Sequence, residues 1–194
     1  MKKRFIGKLE VSPIGMGCMG FSHGYGKIPE KQYSIEAIRK AYAFGCTFFD
    51  TAEVYGNELY WEGHNEEILG EAVESFRKNI VIATKLHIHD EEVTPNMDLY
   101  HLIKSHLEKS LKRLRTDYVD LYYLHRVNEF VPVEDVAYVM GKLIDEGLIK
   151  GWGLSQVDVD TLDKAHRVTP VTAVQNLYNI LERDCDDEIF PYCI

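Results

Sequence analysis

Four side chains able to hold or move a proton stand at the ends of short apolar or aromatic runs, or just beyond them. Asp50 closes the run Thr47-Phe-Phe-Asp50, Tyr55 lies in the loop that follows, Lys85 closes Asn79-Ile-Val-Ile-Ala-Thr-Lys85, and His125 follows Tyr118–Leu124. Taken singly, each has a plain structural use: Asp50 as a helix or turn cap, Tyr55 as loop packing, Lys85 as a strand end reaching for solvent, His125 as a satisfied histidine. Taken together they make a set with a definite chemistry. Free tyrosine has a pKa near 10, too high for an efficient proton donor at neutral pH. An ammonium about 4 Å away stabilises phenolate by roughly 4 kcal/mol at an effective dielectric near 20. A lysine beside a tyrosine therefore makes a usable general acid. Asp50 would keep Lys85 charged and oriented, and His125 would donate to a substrate oxygen or relay the proton. Such a set protonates a carbonyl oxygen but brings no electrons, so a cofactor such as a nicotinamide has to supply them.

These residues can act together only if the elements that carry them end at one place. The chain repeats a β-branched or aromatic run, a polar loop and a longer amphipathic stretch. Arg4–Ile6 and Leu9–Val11 around Gly7-Lys8 read as a small hairpin. Strands are expected at Ile14–Cys18, Thr47–Asp50, Asn79–Lys85, Tyr118–Leu124, Leu148–Leu154 and Val171–Gln175. Between them, apolar residues recur at helical spacing over Gln32–Phe44, Asn65–Phe76, Leu99–Leu114, Val133–Asp145 and Thr161–Val168, and Glu182–Cys193 reads as the start of a further helix. Alternating strands and helices imply parallel strands with right-handed crossovers, in a doubly wound sheet or a (β/α) barrel. Gly15-Met-Gly-Cys-Met-Gly20 has the letters of a dinucleotide fingerprint, but the following helix begins too late for a phosphate to sit on its N-terminus. The barrel is the better choice.

In a barrel the chemistry gathers at the C-terminal ends of the strands. There the sequence places Asp50 with Tyr55, then Lys85, His125, Ser155-Gln156 and Gln175-Asn176. Unpaired charges cost free energy, so Asp, Lys and His around one rim favour a site over a structural accident. Eight units usually take about 250 residues; here about six strand–helix units follow the hairpin, with no seventh or eighth strand. The expectation is one domain over residues 1–194, an incomplete (β/α)8 barrel of the TIM type.

Composition narrows the partners. The 194 residues are 45% hydrophobic and 27% charged, those of an ordinary globular protein, and 22 Lys+Arg against 31 Asp+Glu give a net charge of −9. That sign repels phosphate backbones and anionic lipid, so neither nucleic acid nor a membrane surface is an expected partner. No apolar run approaches the roughly 20 residues of a bilayer span, and the basic start has no apolar core behind it, so a secretory signal is not expected. Cys18, Cys46, Cys185 and Cys193 have no metal-ligand spacing and read as reduced thiols in a cytoplasmic protein. His87-x-His89 lacks a third ligand, and His101 and His106 do not share a face as metal ligands would. No metal is expected. Tyr60 and Trp61 divide evenly between lining a pocket and packing on the surface.

The ordered motifs Ile14-Gly-Met-Gly, Gly45-Cys-Thr-Phe-Phe-Asp-Thr-Ala-Glu-Val-Tyr55-Gly56, Ala83-Thr-Lys85, Asp117-Tyr-Val-Asp-Leu-Tyr-Tyr-Leu-His125, Lys150-Gly-Trp-Gly-Leu-Ser155 and Val174-Gln-Asn-Leu-Tyr178 run through essentially the whole chain. In these the sequence resembles the aldo-keto reductases. The resemblance implies a (β/α)8 barrel and NADPH-dependent reduction of an aldehyde or ketone, a small-molecule carbonyl substrate, with NADH not excluded. It implies a tetrad of Asp50, Tyr55 as acid, Lys85 and His125, and a nicotinamide carboxamide held by Ser155, Gln156 and Gln175. Gln156 stands where the family usually has Asn, and the segment Asn57–His64 is longer than in many relatives. The last two strands, which in the family supply much of the cofactor grip, are absent. A remnant that keeps the tetrad without catalysis, or a regulatory module like the channel β-subunits of the same family, are the alternatives. Six strands also leave open edges, which predict self-association.

Overall fold

The structure is a computed structural model and describes residues 2–24 and 26–194. Met1, at the basic start, and Tyr25 lie outside the described residues. The chain opens with β1 (Arg4–Ile6) and β2 (Leu9–Val11), paired antiparallel with Ile6 opposite Leu9. The turn between them uses Gly7 at φ +56°, the left-handed region that glycine enters without a Cβ penalty.

Strands β3 (Met16–Gly17), β4 (Phe48–Asp50), β5 (Val81–Leu86), β6 (Leu121–Leu124), β7 (Trp152–Ser155) and β8 (Ala173–Gln175) form one parallel sheet in chain order. Helices α1 (Lys31–Ala43), α2 (His64–Val73), α3 (Leu99–Leu114), α4 (Val133–Asp145) and α5 (Val159–Val168) are the crossovers, and α6 (Ile189–Cys193) follows β8. Each crossover leads to the neighbouring strand, so the sheet never reverses its winding and curls instead, which settles the choice between the two expected arrangements. The curl is far advanced. Gln175 Nε2 at the end of β8 donates to Asp50 Oδ2 at the end of β4, 3.0 Å away, although three strands separate them in the sheet. The result is a curled six-strand half-barrel with a hairpin at one end.

Strand alternation sorts the side chains to two faces. Ile82, Leu86, Tyr122, Leu124, Trp152 and Leu154 face outward, into a core shared with Ile68, Ile103, Leu107, Val136, Met140 and Leu162 of the helices. Val81, Ala83, Leu121 and Tyr123 face inward and pack on Leu9 and Val11 of the hairpin. The hairpin thus plugs the N-terminal end of the strands. Ser12 and Thr47 pin it there by reciprocal backbone-to-hydroxyl bonds of 2.8 and 2.9 Å.

Strands β3, β7 and β8 are shorter than expected, β7 beginning at Trp152 rather than Leu148, and three further elements differ from expectation. The helix expected over Asn65–Phe76 leaves α geometry at Val73 for a 3-10 stretch, Glu74–Asn79. Phe76 swings out to stack on Tyr42, rings 3.9 Å apart, and Arg77 turns inward to Asp120 at 2.8 Å. The strand expected from Tyr118 joins the sheet continuously only at Leu121, after a single bridge at Val119, because the Asp120 carboxylate accepts from the Ile82 N–H at 3.0 Å. The helix expected from Glu182 is a 3-10 turn, Asp184–Asp186, and then α6. Pro191 belongs in the first turn of a helix, so an α-helix cannot run into it from further upstream. The edges are β3 and β8, and beyond β8 the side chains of Leu177, Ile180, Leu181 and Ile194 are exposed.

Gly70 marks the closest crossing of α2 and α3. A Cβ there would stand 2.3 Å from the Arg113 carbonyl oxygen and 2.8 Å from Leu114 Cα, both backbone and unable to move aside. Alanine is favoured over glycine in a helix by about 1 kcal/mol, but overpacking of this kind costs about 1–3 kcal/mol. Gly70→Ala should therefore lower the urea midpoint; an unchanged or raised midpoint would show that the two helices separate freely.

Candidate active site

At the C-terminal rim the strand ends bring Asp50, Lys85, Ser155 and Gln175 onto the inner face, with His125 directly after β6. Lys85 is 1% exposed. An ammonium so enclosed needs acceptors for its donors, and three are in reach. Nζ lies 2.6 Å from Asp50 Oδ1, 2.7 Å from the Thr51 carbonyl oxygen and 3.3 Å from the Tyr55 hydroxyl. Because Lys85 has only hydrogens to give, the phenol oxygen accepts from it, and the phenol's own hydrogen is left to point elsewhere.

Tyr55 is carried by the loop between β4 and α2, and that loop is held at several points. Gly56 takes φ +106°, which turns the chain sharply just after the tyrosine. Asn65 at the start of α2 is fully buried. Its amide nitrogen donates to the Cys18 carbonyl and the Ser22 hydroxyl, its oxygen accepts from Thr51, and its backbone N–H donates to the Tyr55 carbonyl at 3.3 Å. The Tyr55 and His125 rings meet edge to face, 5.5 Å between centroids. With Met19, Val54, His87, His89 and Arg126 they line a cleft of about 340 Å³, beside which His23 and Glu58 pair at 3.2 Å.

His125 is the most perturbed group in the cleft. Burial pushes its pKa down first, and the positive charges of Lys85 and Arg126 and then His87 add to that, to about 3. The ring is therefore neutral at ordinary pH. Nδ1 is enclosed with no hydrogen-bond partner among the described residues. An orphaned buried N–H is rarer than an orphaned lone pair, which puts the ring proton on Nε2, the nitrogen not so enclosed.

The remaining rim residues divide. Ser155 Oγ accepts from Arg126 at 3.0 Å, and Gln175 donates to Asp50, so both are bonded into the rim. Gln156 does not. It is exposed, sits at φ +54°, and its Oε1 accepts the Leu177 N–H at 2.6 Å. Tyr60 and Trp61 lie outside the cleft, stacked on and edged against His64 at 4.0 and 4.9 Å. His87 and His89 line the cleft with rings 4.7 Å apart, and no cluster of three or more His, Cys, Asp or Glu suited to a metal occurs among the described residues. All four cysteines are free.

Arg126 and the Thr51 carbonyl are parts of the site that residue types alone did not mark. Nor did they mark Glu53, which is buried behind Tyr55 and bonded to His106 at 2.9 Å. A signal for His106 existed in the sequence: it lies on the apolar stripe of α3 with Ile103, Leu107, Leu111 and Leu114, where a histidine requires partners.

The His125 shift has a testable sign. Unfolded imidazole protonates near pH 6.5, while the folded ring stays neutral to about pH 3. Between these values the unfolded state binds the extra proton, so this residue's contribution to stability is full above about pH 6.5 and falls as pH drops toward 3. In NMR the His125 ring resonances should not move between pH 5 and 8, and a titration near 6.5 would contradict the burial described.

This architecture recurs in known proteins. Residues 13–194 match the family model described as the aldo/keto reductase family. Over 188 residues the chain is 40% identical to a probable aldo-keto reductase 1 of Glycine max, a match that takes in 95% of this chain and 53% of that protein. The chain thus spans about half the length of this curated relative. All of it superposes on 69% of a thermostable aldo-keto reductase crystallised with the inhibitor epalrestat, with a TM-score of 0.84 and 30% identity. All of it also covers 64% of an aldo-keto reductase from Klebsiella pneumoniae in complex with NADPH, with a TM-score of 0.81 and 28% identity. The family model takes in nearly the whole chain and the fold is that of these neighbours over its full length, so the chain belongs to the aldo/keto reductase family.

Proposed function

We propose that this chain is built for reduction of an aldehyde or ketone to an alcohol with NADPH, Tyr55 serving as the general acid. The observation that carries this is the buried Lys85 ammonium 3.3 Å from the Tyr55 hydroxyl, with Asp50 behind it at 2.6 Å. As a carbonyl oxygen gains negative charge, the phenol hydrogen transfers to it and the ammonium stabilises the phenolate left behind. His125, neutral and with its proton on Nε2, donates a second hydrogen bond to the same oxygen and so orients the substrate in the cleft. An imidazolium would compete as an acid; the low pKa of His125 leaves that role to Tyr55.

The rim suits a nicotinamide carboxamide, which needs both a donor and an acceptor. Ser155 and Gln175 are register partners on adjacent strands, and Gln175 keeps Oε1 after its Nε2 has bonded Asp50. Gln156, whose Oε1 is committed to Leu177, has only its Nε2 to offer. When bound, a reduced nicotinamide supplies the hydride that the carbonyl carbon accepts. NADP(H) is favoured because the Klebsiella pneumoniae neighbours were crystallised with NADPH or with NADP.

Tyr55→Phe should keep NADPH binding, read by fluorescence titration, and lower aldehyde-dependent NADPH oxidation by about 10²–10⁴-fold. A wild-type chain that neither binds NADPH nor oxidises it with any aldehyde would overturn the proposal in favour of a non-catalytic role. The open edges β3 and β8, with the exposed apolar residues beyond β8, support self-association of this chain. Sedimentation velocity should show mass rising with concentration, and a monomer at all concentrations would refute it.

A further inference from the structure

We propose that His106 is a positioning residue: as an imidazolium bridging Glu53 and Glu92 it clamps together the two loops that wall the cleft. It lies on α3, outside the sheet, and is enclosed. Nδ1 is 2.9 Å from Glu53 Oε2 and Nε2 is 2.9 Å from Glu92 Oε1. Ionised carboxylates only accept, so both ring nitrogens must donate, and only the imidazolium has two donors.

Each carboxylate passes the connection on to a backbone. Glu53 Oε1 accepts the His87 N–H at 2.5 Å, and Glu92 Oε2 accepts the His89 N–H at 2.9 Å. These four bonds tie the β4–α2 loop, the β5–α3 loop and α3 into one circuit. Glu53 is also fixed along its own backbone: its N–H donates to the Lys85 carbonyl at 3.4 Å and its carbonyl accepts from Gly63 at 2.6 Å. Tyr55 follows in the same loop, and His87 and His89 form the opposite wall of the cleft. A shift of either carboxylate therefore moves a wall of the candidate site without any contact between His106 and a substrate.

The clamp is conditional on the ring's charge. Burial lowers the His106 pKa, but the hydrogen bond and charge of Glu53, and then those of Glu92, outweigh burial and lift it to about 8. The other titratable or charged groups around the circuit are His87 and His89 of the β5–α3 loop, Glu66 of α2, Tyr122 of β6 and Arg113 of α3 itself. Glu66 is already satisfied by Thr84 at 2.6 Å and Arg113 at 3.2 Å, and His87 has its pKa lowered, first by burial and then by His89. His106 is thus the cation available to both Glu53 and Glu92. The circuit is closed below about pH 8 and loses one arm as pH rises through that value.

Only the consequence for catalysis rests on the function proposed above. In NMR of the whole chain the His106 ring should titrate once, near pH 8. The amide on the arm that opens, His87 or His89, corrected for intrinsic exchange, should lose protection over the same range while Ile82 in β5 keeps its own. In His106→Gln both amides should exchange about ten-fold faster, with no step near pH 8, as expected from losing about one hydrogen bond. Glu92→Ala, which removes both acceptors of that arm and leaves the Glu53 arm intact, should expose the His89 amide and spare His87; it serves if His106→Gln does not fold. A ring that titrates near 6.5, or amides that ignore both substitutions, would overturn the clamp. If the chain reduces aldehydes, kcat/KM in His106→Gln should fall about ten-fold with NADPH affinity unchanged. If the amides respond as described but no carbonyl is reduced, the clamp stands and the proposed reaction fails.

Discussion

An ammonium enclosed on the concave face of a curled sheet is the constraint to which the rest of this molecule answers. Even after relaxation, an ion removed from water costs several kcal/mol, and Lys85 recovers that only through Asp50, the Thr51 carbonyl and the Tyr55 phenol. Those partners lie on β4 and the loop after it, while Asp50 is itself answered from β8. One buried charge therefore requires the sheet to curl far enough for β4 and β8 to touch. The tyrosine next to it is placed by the same requirement that keeps the charge satisfied.

The architecture divides its duties between the two ends of the strands. At the N-terminal end the hairpin fills the half-barrel with Leu9 and Val11, against Val81, Ala83, Leu121 and Tyr123. At the C-terminal end the inner positions change from apolar to polar: Asp50, Lys85, Ser155 and Gln175. Because strand side chains alternate, each of these can face inward while its neighbours Phe49, Thr84 or Leu86, Leu154 and Val174 face the helices. The polar groups of the candidate site are thus gathered on one inner rim, while those buried among the helices, Asn65, Glu66 and His106, each find hydrogen-bond partners there. The Arg77–Asp120–Lys150 group performs a different task near the opposite ends of the strands, joining β6 to the segments before β5 and β7.

Much of this was legible in the residues. All six strands of the sheet and every crossover helix were expected where they stand, with differences at their ends, and the barrel followed from their alternation. Asp50, Lys85 and His125 could be singled out because each is a polar residue at or just past the end of a run that otherwise buries itself, and Tyr55 because it lies in the loop after one. The illegible parts share one cause, the side chain that reaches across sequence. The helix expected through Phe76 ended early because Tyr42 and Asp120 offered Phe76 and Arg77 partners no local pattern contains. Gln156 looked like its neighbours at the rim, yet a left-handed backbone and the Leu177 amide turned its oxygen to other use. His106 fell between the two views: its position on an apolar stripe demanded partners, and only the fold identified them as Glu53 and Glu92.

The sequence by itself determined the order of strands and helices, the apolar sides that press them together, and the residue types delivered to each strand end, because periodicity and local chemistry are properties of the chain. Tertiary structure alone decided which of those residues touch, which lone pairs and protons are left free for a ligand, and which histidine is neutral and which charged. Those outcomes depend on burial and on charges brought from distant segments, and neither exists until the sheet has curled.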